Sequence, residues 1–222
     1  MLRTTAFAII GAATLSSAFA GISNGNFESF DSSGNPLEWS FINGGVTNNY
    51  NGLLACEQEF FGYADSTGFA AIARNAEEFL DPQRENILTF CYNFFTNEPT
   101  GDNDPLNQIQ EFNDKFELRL LAANGASATY LIADVFTASL SSANARPSNF
   151  GISTGWQMKA IDISAFLAVA GQPINVLFQV TDAGDGNYAS GFGIDAVEAV
   201  PEPGTMAALA LGGAVLARRR RK

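Results

Sequence analysis

Between Gly21 and Val200 the chain has no long amphipathic helical repeat; short apolar or alternating runs are separated by clusters of Gly, Asn, Asp and Pro. A period of two, broken repeatedly by turn formers, is what antiparallel strands require. Ile22 to Phe30 alternates as a strand would, and Asp31-Ser32-Ser33-Gly34-Asn35-Pro36 then turns the chain. Trp39 and Phe41 follow at strand spacing as core aromatics, with Asn43-Gly44-Gly45 and Asn48 to Gly52 as loops. Phe69–Ala73 and Ile87–Phe95 read as strands, the second filled with residues that suit a pleated surface. Asn75 to Leu80 reads as a short helix or turn, and Asn97 to Gln108 as a polar loop. Phe112–Leu121 and Ser127–Thr137 form an expected hairpin, because Asn124-Gly125 supplies the positive φ angles of a tight turn. Gly155–Ser164, a short turn or helix around Phe166, Ile174–Val180 and Gly191–Val200 complete the series. The expected fold is all-β: a two-sheet antiparallel β-sandwich of jelly-roll type.

The two ends of the chain read differently. Met1-Leu2-Arg3 is positive, Ala6 to Leu15 is almost wholly apolar, and Ala18-Phe19-Ala20 has the small-x-small pattern of a signal-peptidase site. Residues 1–20 are therefore expected to be a signal helix, cleaved after Ala20. At the other end, Val200-Pro201-Glu202-Pro203 leads into an apolar run from Gly204 to Ala217 and a basic end, Arg218-Arg219-Arg220-Arg221-Lys222. The apolar run predicts a short hydrophobic helix. It falls below the roughly 20 residues that span a bilayer comfortably, and the basic end would stay on the cytoplasmic side by the positive-inside rule.

The remaining body, 21–200, is acidic and contains no histidine. Up to Pro203 it holds six basic residues against all twenty-three acids, a net charge of −17. Such a field repels phosphate backbones and argues against nucleic-acid binding. Without histidine, Ser-His-Asp and Cys-His nucleophiles and His-based zinc sites are excluded. A glycosidase using two carboxylates needs no histidine, but acids in solvated loops need no catalytic explanation, so the expectation is a protein that is not an enzyme. Cys56 and Cys91 in an exported chain are expected to pair, stabilising the fold by about 3–4 kcal/mol in the chain-entropy model; two buried free thiols are the alternative.

Taken together, the Pro-Glu-Pro, the apolar run and the Arg cluster resemble the PEP-CTERM sorting signal of exported proteins from Gram-negative bacteria that make exopolysaccharide. The resemblance implies export, transient retention in the inner membrane through residues 201–222, and processing near Pro201-Glu202-Pro203 by an exosortase-type transpeptidase after signal peptidase has acted. The body is similar to jelly-roll modules of galactose-binding or carbohydrate-binding type. Asn24-Gly25-Asn26-Phe27-Glu28, the stretch from Gly155-Trp156 to Ser164, and the ending from Asp182 to Asp195-Ala196-Val197 carry that similarity. The family ending usually has Asp-Ser and Asp-Asn-Val, where this chain has Ala189-Ser190 and Asp195-Ala196-Val197.

Calcium is the metal that the oxygen-rich loops favour. In jelly rolls of this type an ion often ties the first strand to the last, which would recruit Asn24, Asn26 or Glu28 with Asp195 or Glu198. Asp182 with Asp185, or Asp102 with Asp104, is the second option. Tyr50, Tyr63 and Tyr188, each in a Gly/Asn/Asp-rich stretch, are the candidates to stack on a sugar, ahead of Trp39 and Trp156. Three functions follow in order: a non-enzymatic surface or matrix protein associated with exopolysaccharide, a calcium-dependent glycan-binding module, and a carboxylate-based glycoside hydrolase.

Overall fold

The structure is a computed structural model that describes residues 22–74, 78–82, 85–98, 113–141, 145–182 and 186–201. The signal segment with Ala18 and Ala20, the tail from Glu202 through Arg218, Arg219, Arg220 and Arg221, and Asp102, Asp104 and Asp185 lie outside these residues. Among the described residues no helix is long and apolar enough to cross a membrane.

Two antiparallel sheets form a sandwich. One contains, in spatial order, β1 (Trp39–Ile42), β6 (Phe69–Arg74), β12 (Ile174–Thr181), β8 (Lys115–Ala122) and β9 (Ser127–Asp134). The other contains β10 (Ile152–Ser153), β7 (Ile87–Thr96), β13 (Ser190–Val200), β5 (Phe61–Ser66) and β2 (Gly44–Thr47), with β11 (Gln157–Asp162) also on β7. A separate two-stranded hairpin, β3 (Asn49–Tyr50) and β4 (Leu53–Leu54), and two short helices, α1 (Val135–Ser139) and α2 (Ser164–Leu167), complete the elements of the described residues.

The alternation read from the sequence sets the core. In β8, Phe116, Leu118, Leu120 and Ala122 point inward, and their partners on β12 are Val180, Phe178, Val176 and Ile174. Across the sandwich Phe116 stacks on Phe192 of β13, with ring centroids 4.5 Å apart, and Phe90 of β7 meets Phe178 edge-on at 5.0 Å. Offset and edge-to-face contacts of this kind add to the burial of the rings themselves. β7 is buried along nearly its whole length, because its outer face is covered as well. Phe94 enters the main core, and its neighbour Phe95, pointing the opposite way, joins a smaller cluster with Leu53, Phe61 and Phe150.

Several expectations need correction. Ile22 to Phe30 is not a strand but a series of turns, with Asn24 and Phe27 at φ 51° and 58°. The reason is close backbone packing: a Cβ on Gly25 would lie 1.9 Å from the Val197 carbonyl oxygen. Gly44 and Gly45, read as loop, open edge strand β2, made regular by its ladder to β5, and Asn49–Tyr50, also read as loop, is β3; β5 itself was not anticipated. Residues 135–137, read as the end of a strand, begin α1, because the Asp134 carboxylate accepts from the Thr137 amide 2.7 Å away and caps a helix there. Glu78 forms an isolated bridge to Ile174 rather than a helical turn.

Candidate functional site

The N-terminal turns, the 55–60 loop and the end of β13 meet at one acidic junction. β13 carries a bulge between Asp195 and Glu198, with Ala196 at φ 50°. A bulge of this kind bends a strand and re-aims its side chains. Here the Val197 amide reaches the Gly25 carbonyl at 3.0 Å. The Asp195 carboxylate, fully buried, accepts from the Glu57 and Ala196 amides, each at 2.7 Å. Glu28 Oε1 accepts from the Glu59 and Phe60 amides, each at 2.8 Å. Asn26 Nδ2 donates to Gln58 Oε1 at 2.9 Å. The disulfide Cys56–Cys91 joins the same loop to β7, opposite Asp195 in the ladder. Beside these groups lies a cavity of about 250 Å³, walled by Asn24, Asn26, Glu57, Gln58, Ala196 and Glu198 among others.

Burial pushes the Asp195 carboxyl up to about 7; the Glu57 and Ala196 amides oppose this, and the nearby charges of Glu57 and Glu28 add to it. The salt bridges among the described residues all belong to Arg74, so negative charge here is unbalanced. No three Asp, Glu, His or Cys residues among those described gather into a ready cage. Calcium also takes amide and backbone carbonyl oxygens, and the Asp195 carboxylate feels the charges of Glu57 and Glu28. Of the six residues expected to hold calcium, Asn24, Asn26, Glu28 and Asp195 come together. The Asn24 side chain is already occupied, donating to the Ser29 and Leu37 carbonyls and accepting from the Ser29 amide. Asp182 lies at the other end of β5, beside Gly68, where its carboxylate accepts from the Gly186 amide at 2.9 Å.

The expected sugar-stacking residues divide. Tyr50 and Tyr63 stack on one another at 4.2 Å, and the Tyr50 hydroxyl donates to Asp65 at 2.8 Å. Burial first, and then the Asp65 carboxylate, raise the Tyr50 pKa. Both rings pack on the smaller cluster beneath the β3–β4 hairpin, which is held by the Trp156 indole donating to the Leu54 carbonyl and by the Ser148 amide donating to the Asn51 carbonyl. Gly193 leaves room for this roof, since a Cβ there would lie 2.9 Å from the Trp156 ring. Tyr188 is exposed in the turn before β13. A shallow groove of about 480 Å³ runs between Asn48, Asn49, Leu54, Gln58 and Glu59.

Sequence reasoning missed the 55–60 loop, whose backbone amides bind buried Asp195 and half-buried Glu28; no side-chain pattern announces donors of that kind. It also missed Arg74. This buried guanidinium donates to Glu78 at 2.6 Å, and to Glu38 and the Ser23 hydroxyl at 2.7 Å each, with the Trp39 ring 5.3 Å away.

Residues 199–222 match the PEP-CTERM protein-sorting motif. The chain thus carries a signal that indicates export and surface sorting and implies processing by an exosortase. Among solved structures it is similar to a non-crystalline cellulose specific carbohydrate-binding module, CBM28, at 11% identity and TM-score 0.48, covering 79% of this chain and 92% of that one. It is also similar to TmCBM61 in complex with β-1,4-galactotriose, at 12% identity and TM-score 0.39, covering 78% and 95%. A cyclase from Fischerella sp. TAU gives 14% and 0.39, covering 82% and 97%. No curated protein matches the chain.

Proposed function

We propose that this chain is an exported, non-enzymatic surface or extracellular-matrix protein, sorted through its tail, whose β-sandwich contributes adhesion or structure in an exopolysaccharide layer. The observation that supports it most is the sorting motif at 199–222, which continues directly from the last strand of an acidic, histidine-free sandwich. Signal peptidase acts first on this reading, and the tail holds the chain in the inner membrane until the transpeptidase acts. Replacing Pro201-Glu202-Pro203 with three alanines is expected to leave the protein unprocessed and membrane-associated. Unchanged size and location on immunoblots of cell fractions would overturn the sorting reading.

The acidic junction favours a second reading, a calcium-dependent glycan-binding module. Glu28 and Asp195 would hold the ion, with the Asn26 amide beside them, and the ion would pin the N-terminal turns to the last strand. Tyr188 and the groove beside Leu54 are the places where a glycan has access. A glycan array probed with the purified, processed protein, with and without calcium, is expected to show calcium-dependent signals; silence in both conditions sinks this reading.

A further inference from the structure

The longest edge strand among the described residues is β9. It ends the five-stranded sheet, and no described strand pairs with its far side. At the hairpin the Ala122 amide donates to the Ala126 carbonyl at 2.9 Å, so the hydrogen-bonded rungs to β8 fall at Ala126, Ala128 and Tyr130. The backbone groups of Ser127, Thr129 and Leu131 therefore point away from β8, and no described residue takes them up. Their side chains are exposed, that of Leu131 to 52%. A register shift between Phe116 and Glu117 ends the regular edge just beyond Leu131.

Sheet edges are normally blunted by shortness, charge or proline. The other edges here follow that rule: β1 and β2 have four residues each, β10 has two, and β11 carries Lys159 and Asp162. β9 has eight residues, and from Ala126 to Ser141 the one charge is Asp134, whose carboxylate is engaged by Thr137 and Asn113. The strand runs directly into α1, where Phe136 and the capping residue Leu140, one turn apart, are 49% and 71% exposed. In a body whose net charge up to Pro203 is −17, this is an uncharged strip.

Charge and symmetry together select the occupant. Two copies of so acidic a chain repel one another over most of their surface, and approach costs least where both are uncharged. An antiparallel strand pairs with itself about a two-fold axis, each N–H meeting the C=O of the same strand in the other copy. We propose that β9 is the docking edge for a second copy of this chain, with the axis at Thr129, so that Thr129 faces its own counterpart and Ser127 faces Leu131. The two five-stranded sheets become one continuous sheet, and all three outward residues gain backbone partners. Each particle then carries two sandwiches, and with them the avidity of two.

Sedimentation velocity on the purified, processed protein tests the pairing. A reversible dimer is expected, and because like charge opposes it, raising the salt from about 0.05 to 0.5 M should tighten it several-fold. Amide exchange at Ser127, Thr129 and Leu131 should slow as the protein is concentrated. Leu131→Lys places a charge on the edge at an exposed position and should abolish the dimer while leaving the melting temperature of the sandwich in place. Thr129→Pro, which removes an outward donor that β8 does not use, should give the same loss by another route. Phe79→Lys alters a residue that is 66% exposed but off the strip, and should leave the dimer intact. A wild type that stays monomeric at every concentration overturns the proposal, whatever else binds the edge. So does a dimer that weakens with salt, one that survives Leu131→Lys, or one that Phe79→Lys dissociates equally.

Discussion

Two buried charges, Arg74 and Asp195, sit in this sandwich under opposite conditions. The Arg74 side chain has no exposure, and its donors meet Glu38, Glu78 and Ser23 while Trp39 covers one side. Asp195 is equally hidden, yet its partners are two backbone amides and its charged neighbours are acids. A buried ion with full hydrogen bonding and opposite charge is tolerated, whereas one beside like charge resists ionising. The direction of the shifts records this. Glu38, bonded by Ser23 and Arg74, is held below its ordinary value, while Asp195 is pushed up to about 7. Arg74 belongs to a joint closed by opposite charge, and Asp195 to one held by backbone amides among acids.

Removing Arg74 should break that contrast most severely. Arg74→Met keeps much of the volume but leaves Glu78 nearly buried and unpaired, and removes the donors to Glu38 and Ser23. A loss of about 3–5 kcal/mol in urea denaturation is expected, the range for breaking a buried pair from one side. Adding Glu78→Gln should recover part of it. A loss under about 1 kcal/mol, the scale of a surface pair, would mean that the joint is solvated.

Calcium should sharpen the contrast next. A ligand that binds only the folded state, at a hundred times its Kd, adds about 2.7 kcal/mol. Calorimetry on metal-stripped protein is expected to show the melting temperature rising on adding calcium and falling back with EDTA. Asp195→Asn should abolish the response, and Arg74→Met should keep it at a lower starting temperature. A wild-type melting temperature indifferent to both reagents would remove calcium from the account.

The two joints also differ in how far they could be read from the chain. A strand with strict alternation, such as Lys115–Ala122, was plain, because one face is core and the other is not. The Cys56–Cys91 pairing was legible from the redox compartment. Asn26, Glu28 and Asp195 were named as neighbours only through a resemblance. What joins them is the backbone of residues 57–60, which accepts no sequence rule. Ser23 and Glu38 are far from Arg74 and Glu78 in the chain, and nothing local marks Arg74 as the buried cation among the described residues. Tyr50 and Tyr63 sat in loop-like sequence, but one lies in β3 and the other in β5, and they stack on each other against the smaller aromatic cluster. Long-range packing decided each of these outcomes.

Acid should distinguish Glu38 from its surroundings by the smallest effect. Its pKa is lowered first by the Ser23 hydroxyl and then by Arg74, against an ordinary value of 4.5. A carboxyl that binds its proton less tightly when folded contributes stability fully above its unfolded pKa, and loses it as pH falls through the folded one. This contribution should therefore fade between about pH 5 and pH 3, as should those of Asp31, Asp134 and Asp162, also lowered, while Asp195 and Glu85, both raised, act in the opposite direction. Glu38→Gln keeps an acceptor for Arg74 and Ser23 but cannot titrate. Its urea midpoint should start slightly below wild type at pH 6 and converge on it by pH 3. Because the Glu38 side chain is 42% exposed, solvent screens the pair and the difference should stay small. Parallel curves from pH 6 to pH 3 would show that Arg74 draws its hold from Glu78 and Trp39 alone.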